Sequence, residues 1–134
     1  VMNVGKFLSG DYDYVLNDIK AVVNEAHQKN VLVKVIFETC YLNLEQVAKA
    51  TEISIEAGAD FVKTSTGFAD GSATPKVVDM MIKTSAGRIK VKPSGGIRNY
   101  ATALGFLEQG ADRLGVGSTE AVLEGAPVDE NEKY

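Results

Sequence analysis

Apolar and polar positions along the chain alternate between two periods. Residues 14–30 carry apolar side chains at helical spacing, whereas residues 31–39, VLVKVIFET, form a nearly continuous β-branched run. The first pattern is typical of an amphipathic helix and the second of a strand that is buried on both faces. The same change recurs along the chain, so the pattern predicts alternating helices and strands.

Start and stop signals delimit these units. A capping box at Asn43 begins a helix that Gly58 ends, and Thr74 begins another helix that ends at Gly87. Strands are predicted at residues 60–65, 88–94 and 112–118, and further helices at residues 99–110 and 118–125. Strand followed by helix, four times over, predicts an α/β protein with a parallel sheet of the (β/α) TIM-barrel type.

One segment echoes another within the chain. Residues 56–66, EAGADFVKTST, and residues 108–118, EQGADRLGVGS, share a helix stop, an Ala-Asp pair and a following strand. Repeated barrel architecture would produce this likeness. The alternative is that Gly-Ala-Asp is simply favourable chemistry for a loop between a helix and a strand.

Composition narrows the class of protein. The chain has 134 residues, of which 45% are hydrophobic and 24% charged, as in soluble globular domains. The net charge of −4 argues against a nucleic-acid binder or a protein of anionic membrane surfaces. No apolar run approaches the roughly 18 residues of a transmembrane helix. The single Cys40 cannot form an internal disulfide, so we expect a cytoplasmic protein.

Two glycine-rich turns follow the last two predicted strands, at the strand ends where (β/α) barrels carry their active sites. They are SGGIR at residues 94–98 and GVGS at residues 115–118. Glycine lets backbone N–H groups approach an anion, and a helix N-terminus favours negative charge, so the turns predict a phosphate site. The alternative for either turn alone is an ordinary turn glycine.

Lys63 and Lys92 end neighbouring predicted strands, so we expect their ammonium groups to converge. At an effective dielectric near 20, charges about 5 Å apart repel by roughly 3 kcal/mol, which lowers one pKa by about two units, toward 8. A neutral amine in this position is a nucleophile for carbonyl carbon. The alternative for a lone strand-end lysine is a solvated surface charge, which is our interpretation of Lys34 and Lys90.

Three consecutive motifs carry a family resemblance, namely FVKTSTGF, VKPSGGIR and RLGVGS. Together they resemble 2-deoxyribose-5-phosphate aldolase, a class I aldolase with a TIM barrel, and the likeness runs from Val1 to about Gly125. The opening VMNVGKFLSGDYDYV resembles that family's fourth strand and following helix. The resemblance implies reversible cleavage of 2-deoxy-D-ribose 5-phosphate to acetaldehyde and D-glyceraldehyde 3-phosphate.

The resemblance also implies residue roles. Lys63 would form the Schiff base, Lys92 would tune it, and Thr64 and Thr66 would line the substrate pocket. No metal or other cofactor is implied, because the iminium is the electron sink. Some members of the family end in a tyrosine that assists proton transfer, a role open to Tyr134, although a chance terminal residue is the alternative. The implied phosphate-binding residues are Gly67, Gly95, Gly96, Arg98, Gly115, Gly117 and Ser118.

The sequence departs from the family in length. The family barrel has eight strands and typically about 250 residues, and its fourth-strand catalytic aspartate would precede Val1. We therefore expect residues 1–125 to form the C-terminal half of the barrel and residues 126–134 a flexible tail. Such a chain alone is expected to be poorly active. It is also expected to form a homo-oligomer or to associate with the missing N-terminal half.

Two other functions remain open at this point. One is another sugar-phosphate-binding barrel enzyme, such as an isomerase or epimerase, which needs an acid/base pair rather than a Schiff-base lysine. The other is a non-catalytic half-barrel that associates with itself.

Overall fold

The computed structural model describes residues 1–125, and within them strands alternate with helices as predicted. Three parallel strands lie in the order β1-β2-β3, namely β1 (Lys34–Ile36), β2 (Phe61–Lys63) and β3 (Lys90–Lys92). The helices are α1 (Val4–Leu8), α2 (Tyr12–His27), α3 (Leu44–Glu56), α4 (Pro75–Ser85), α5 (Tyr100–Gln109) and α6 (Thr119–Glu124), with a 3-10 turn at Thr39–Tyr41. None of the helices in this part of the chain is long and apolar enough to cross a membrane.

The hydrophobic core lies between the sheet and helices α2, α3 and α4. Val35, Val62 and Val91 occupy the middle positions of the three strands and are at most 5% exposed. Their side chains belong to the same core cluster as Val47 of α3 and Met81 of α4. Fully burying a side chain of this size contributes about 1.5–3 kcal/mol. The valines therefore anchor one face of the sheet, and the alternating residues face the other way.

The strand register sets which residues share that opposite face. Ile36, Lys63 and Lys92 pair across the three strands, and Lys34 and Lys90 both pair with Phe61. Lys63 and Lys92 therefore end neighbouring strands at the same level, which confirms the expectation drawn from the sequence.

The sheet continues beyond both outer strands through isolated contacts. The Met2 N–H donates to the Ile36 carbonyl oxygen at 3.0 Å, so the start of the chain lies beside β1. On the other side, Ser94 and Gly115 form a single parallel bridge. The strand predicted at residues 112–118 is thus reduced to one bridge. Glycines leave that segment few side chains to pack, and within residues 1–125 it pairs on one side only.

Local sequence signals account for the helix ends. Asn43 accepts a hydrogen bond from the Gln46 N–H, and the Gln46 side chain accepts one from Asn43, so the predicted capping box is confirmed. Thr74 caps α4 with Pro75 in its first turn, also as predicted. Gly110, with a φ of 114°, ends α5 in the left-handed region that glycine tolerates best.

Asp60 and Asp112, the two aspartates of the internal echo, make the same contacts. The Asp60 carboxylate accepts from the Val33 N–H at 2.7 Å, and the Asp112 carboxylate accepts from the Val91 N–H at 2.9 Å. Each aspartate N–H also donates to the carbonyl oxygen of the same valine. The echo therefore reflects a shared way of fastening a new segment to the preceding strand.

Candidate active site

Three lysines, here called the lysine cluster, lie on the face of the sheet opposite the helices. They are Lys34 of β1, Lys63 of β2 and Lys92 of β3, and each is half-buried. The interpretation of Lys34 as a solvated surface charge is wrong. Its position two residues before Ile36 puts it on the inner face, where its charge lowers the pKa of Lys92. Lys90, in contrast, is exposed and lies over the Phe61 ring at 5.5 Å.

Burial and positive neighbours lower the pKa of both strand-end lysines. For Lys92 the largest cause is desolvation, followed by the charges of Lys34 and Lys63, and its pKa falls to about 8. The pKa of Lys63 is also lowered, by burial first and by the Lys34 charge second, while the Glu38 carboxylate acts in the opposite direction. The predicted value near 8 is thus reached at Lys92, with burial rather than mutual repulsion as the main cause.

Gly115 packs closely against Ser94 and borders Lys92. A Cβ atom at Gly115 would lie 2.5 Å from the Ser94 Cβ and 3.4 Å from the Lys92 Cε. Since real Cβ atoms essentially never come within 3.0 Å of another heavy atom, a side chain at residue 115 would displace Ser94, whereas its contact with Lys92 would be ordinary. The structure thus places Gly115 in the packing around the second lysine.

A cavity of about 280 Å³ lies among the turns that follow β2 and β3. Four predicted phosphate residues share its wall, namely Gly67, Gly95, Gly96 and Arg98. The remaining wall residues are Ala69, Asp70, Gly71 and Ser72. We call this cavity the turn pocket. Gly117 and Ser118 line a different opening beside α6, so the structure divides the predicted phosphate set.

The segment at residues 69–72 was not predicted as part of the site. It packs closely on the turn that follows β3. A Cβ at Gly96, whose φ is 74°, would lie 2.7 Å from the Ser72 Cβ. The Ala73 N–H donates to the carbonyl oxygens of Ser94 and Gly95 at 3.1 and 3.2 Å and holds the two segments together. The signal in the sequence was the polar, glycine-containing ADGS that directly follows TSTGF.

Buried hydroxyl groups fasten the loop after β2 to the loop after β3. The Thr64 hydroxyl donates to the Ser94 carbonyl oxygen at 3.0 Å and accepts from the Ser94 N–H at 2.9 Å. The Ser94 hydroxyl donates to the Ser65 carbonyl oxygen at 2.8 Å. Thr64 and Ser94 are both fully enclosed. The structure therefore gives Thr64 a fastening position between the loops rather than an open place on a pocket wall.

Thr66, the other threonine predicted to line the substrate pocket, is half-buried and contacts Glu38 through its N–H and its hydroxyl. Tyr134 lies outside the described residues. Among residues 1–125, no group of three or more His, Cys, Asp and Glu side chains could hold a metal ion.

The strands thus bring half-buried lysines of lowered pKa close to a glycine-lined pocket, at the strand ends where (β/α) barrels carry their active sites. The profile of the DeoC/LacD family aldolases matches residues 1–117 of this chain. The chain therefore belongs to the DeoC/LacD aldolase family.

Curated relatives in this family include two archaeal proteins. The deoxyribose-phosphate aldolase of Thermococcus gammatolerans is 52% identical over 126 residues, which are 94% of this chain and 56% of that protein. The enzyme of the same name from Thermococcus kodakarensis is 51% identical over 127 residues, or 95% of this chain and 57% of that protein. The chain spans slightly more than half the length of these curated relatives.

The chain also resembles aldolases among solved structures. QR15, an aldolase, superposes with a TM-score of 0.87 at 48% identity, over 92% of this chain and 55% of that one. The tetrameric deoxyribose phosphate aldolase from Aeropyrum pernix superposes with a TM-score of 0.78 at 32% identity, over 84% of this chain and 49% of that one. These likenesses and the parallel α/β sheet fit a TIM-barrel-type aldolase fold.

Removing the Lys34 charge should raise the pKa of Lys92 above 8, because that charge is the largest electrostatic cause of the shift. We expect Lys34→Gln to move the NMR titration midpoint of the Lys92 amine upward. Lys90→Gln is the matched control, because Lys90 sits at the same level of the sheet and does not contribute to that shift. An unchanged Lys92 midpoint in Lys34→Gln would contradict this description of the cluster.

Proposed function

We propose that this chain provides the Schiff-base site of a deoxyribose-phosphate aldolase. The reaction is the reversible cleavage of 2-deoxy-D-ribose 5-phosphate to acetaldehyde and D-glyceraldehyde 3-phosphate. The observation that carries the proposal is the pair of half-buried lysines, Lys63 and Lys92, level on neighbouring strands beside the turn pocket. Family membership and the names of the archaeal relatives support it.

The chemistry starts from a neutral amine. Lys63 attacks the aldehyde carbon of the open-chain sugar phosphate, and the resulting carbinolamine takes up a proton and loses water to leave an iminium. The 3-hydroxyl group then gives up its proton, the C2–C3 bond breaks, and its electron pair moves into the iminium to form an enamine. D-Glyceraldehyde 3-phosphate leaves, and protonation and hydrolysis of the enamine release acetaldehyde. Because the iminium accepts the electrons, the reaction needs no metal and no further cofactor.

Two lysines satisfy the requirement for a depressed pKa, and the family motif KTSTGF around Lys63 decides between them. Lys92, with a pKa of about 8, can both donate and accept a proton near neutral pH. We therefore assign Lys63 as the nucleophile and Lys92 as the group that tunes it and exchanges protons with the reacting atoms.

The turn pocket is the proposed phosphate site. It lies at the same ends of the strands as the two lysines, and its wall combines glycine backbone with the Arg98 guanidinium. Glycine N–H groups and a guanidinium suit a phosphate dianion by close approach and by charge. Gly117 and Ser118 line the opening beside α6 and would add N–H donors where the phosphate extends into that opening.

We further propose that the three strands belong to a larger barrel. The Met2–Ile36 hydrogen bond and the Ser94–Gly115 bridge show backbone pairing on both sides of the sheet, as a closed barrel requires. Strand edges left open would favour association with other chains. Homo-oligomer formation, for which the tetrameric A. pernix relative gives precedent, and a cytoplasmic location are part of the same proposal.

The two other functions find less support. An isomerase or epimerase could use Lys92 for proton transfer but would give the second half-buried lysine, Lys63, no nucleophilic role. A purely self-associating, non-catalytic sheet would have no need of half-buried lysines. The comparisons favour the aldolase over both.

Borohydride reduction in the presence of acetaldehyde should fix an ethyl group on Lys63. The full-length protein is treated with acetaldehyde and borohydride, and peptide mapping by mass spectrometry locates the adduct. Lys63→Met should abolish trapping, whereas Lys92→Met should retain a slower reaction at Lys63. An adduct found on Lys92 alone, or on no lysine of the cluster, would refute the assignment.

Loss of the Arg98 charge should affect phosphorylated substrate selectively. A charge-assisted hydrogen bond contributes about 1.5–3 kcal/mol, so Arg98→Gln should lower kcat/KM for the phosphorylated sugar by roughly 10- to 100-fold. The value for unphosphorylated 2-deoxyribose should change little. Arg88→Gln is the control, because Arg88 pairs with Glu52 away from the turn pocket. Equal losses on both substrates would mean that Arg98 is structural.

A further inference from the structure

Glu38 is a buried carboxylate with an unusual backbone conformation. It lies two residues after the end of β1, is 7% exposed, and has φ and ψ of 56° and 63°, in the left-handed region. Residues other than glycine, asparagine and aspartate rarely adopt this conformation, and they keep it only where surrounding contacts fix it. Contacts with the rest of the structure must therefore hold Glu38 in this conformation.

Both carboxylate oxygens of Glu38 bind the same residue. One oxygen accepts from the Thr66 N–H at 3.1 Å, and the other accepts from the Thr66 hydroxyl. The Thr66 hydroxyl oxygen in turn accepts from the Phe68 N–H at 3.1 Å. A single carboxylate thus holds the turn formed by residues 66–68, whose middle residue is Gly67.

The backbone around Glu38 runs alongside the lysine-bearing strand. The Phe37 N–H donates to the Lys63 carbonyl oxygen, and the Thr39 N–H donates to the Thr64 carbonyl oxygen, each at 3.0 Å. These bonds end at Thr64, and the Glu38 side chain extends the attachment to Thr66. The stretch from the lysine of β2 to the wall of the turn pocket is therefore fixed along its whole length.

We propose that Glu38 is a positioning residue that holds the turn at residues 66–68 and so sets the place of Gly67 in the turn pocket relative to Lys63. The inference rests on the proposed function, in which one substrate molecule bridges the lysine and the pocket. Fixed geometry matters here because the aldehyde carbon and the phosphate group lie at opposite ends of that substrate.

Glu38 also acts on Lys63 through its charge. It favours the ammonium form of Lys63 and opposes the lowering caused by burial and by Lys34. The other charged member of the cluster that faces Lys63 is Lys92, on β3. Removing the Glu38 charge should therefore lower the pKa of Lys63 further, so that the amine becomes neutral at lower pH.

Glu38→Gln separates these effects, because glutamine keeps the size of the side chain but loses its charge and one acceptor for Thr66. We expect kcat/KM for the phosphorylated sugar to fall about 10- to 100-fold, mainly through KM, in line with the cost of displacing a positioned group. The loss for 2-deoxyribose should be smaller. The acidic limb of the pH–rate profile should move to lower pH.

Thr66 offers a second test that leaves Glu38 in place. Thr66→Val removes the hydroxyl and should raise KM for the phosphorylated sugar without moving the acidic limb, whereas Thr66→Ser keeps the hydroxyl and should recover most of that rise in KM. In the double variant Glu38→Gln/Thr66→Val, KM should rise no further than in the worse single variant. Glu45→Gln, an exposed change in the first turn of α3, is the control and should alter neither quantity.

The inference is overturned if Glu38→Gln keeps the wild-type KM and acidic limb, or if Thr66→Val keeps the wild-type KM. Should Glu38→Gln fail to fold, the Thr66→Val and Thr66→Ser pair decides alone. Borohydride trapping separates this inference from the proposed function. A wild-type protein that gives no adduct overturns both, whereas a wild-type adduct with an unchanged Glu38→Gln variant overturns only the role of Glu38.

Discussion

The parallel register between β2 and β3 is the constraint on which the rest of the site depends. It places Lys63 directly beside Lys92, and the valines that precede them anchor the same strands in the core. Lys34 reaches the pair from β1, so three amines share one half-buried face. Desolvation and repulsion then act together to lower the pKa of Lys92 to about 8. Slipping one strand by a single residue would turn its lysine toward the core.

The loops that follow β2 and β3 must also be held in place, because they form the turn pocket. The reciprocal hydrogen bonds of Thr64 and Ser94 join the loops after β2 and β3, and Ala73 ties a third segment to them. Thr64 and Ser94 are fully buried and hydrogen-bonded, and a buried group left without its partner would cost about 1–3 kcal/mol. The network therefore fixes the turn pocket at a set place relative to the lysines.

Much of the fold could be predicted because its signals are local. The Asn43 capping box, the start of α4 at Thr74 and the stop at Gly110 depend only on nearby residues, and all three lie where predicted. Lys34 was misjudged because its surroundings come from β3, which the chain reaches more than fifty residues later. The left-handed conformation of Glu38 could not be predicted either, because Thr66, which binds its side chain, lies 28 residues away in the sequence.

The pH dependence of imine trapping on the wild-type protein tests the central claim most directly. The rate of acetaldehyde and borohydride modification at Lys63 reports the fraction of neutral amine, independently of the later steps of the reaction. The account predicts a rate whose midpoint lies below the ordinary lysine pKa of about 10.4, because burial and the Lys34 charge lower the pKa of Lys63. A midpoint at or above about 10.4 would show that Lys63 is an ordinary solvated lysine, which would contradict the account.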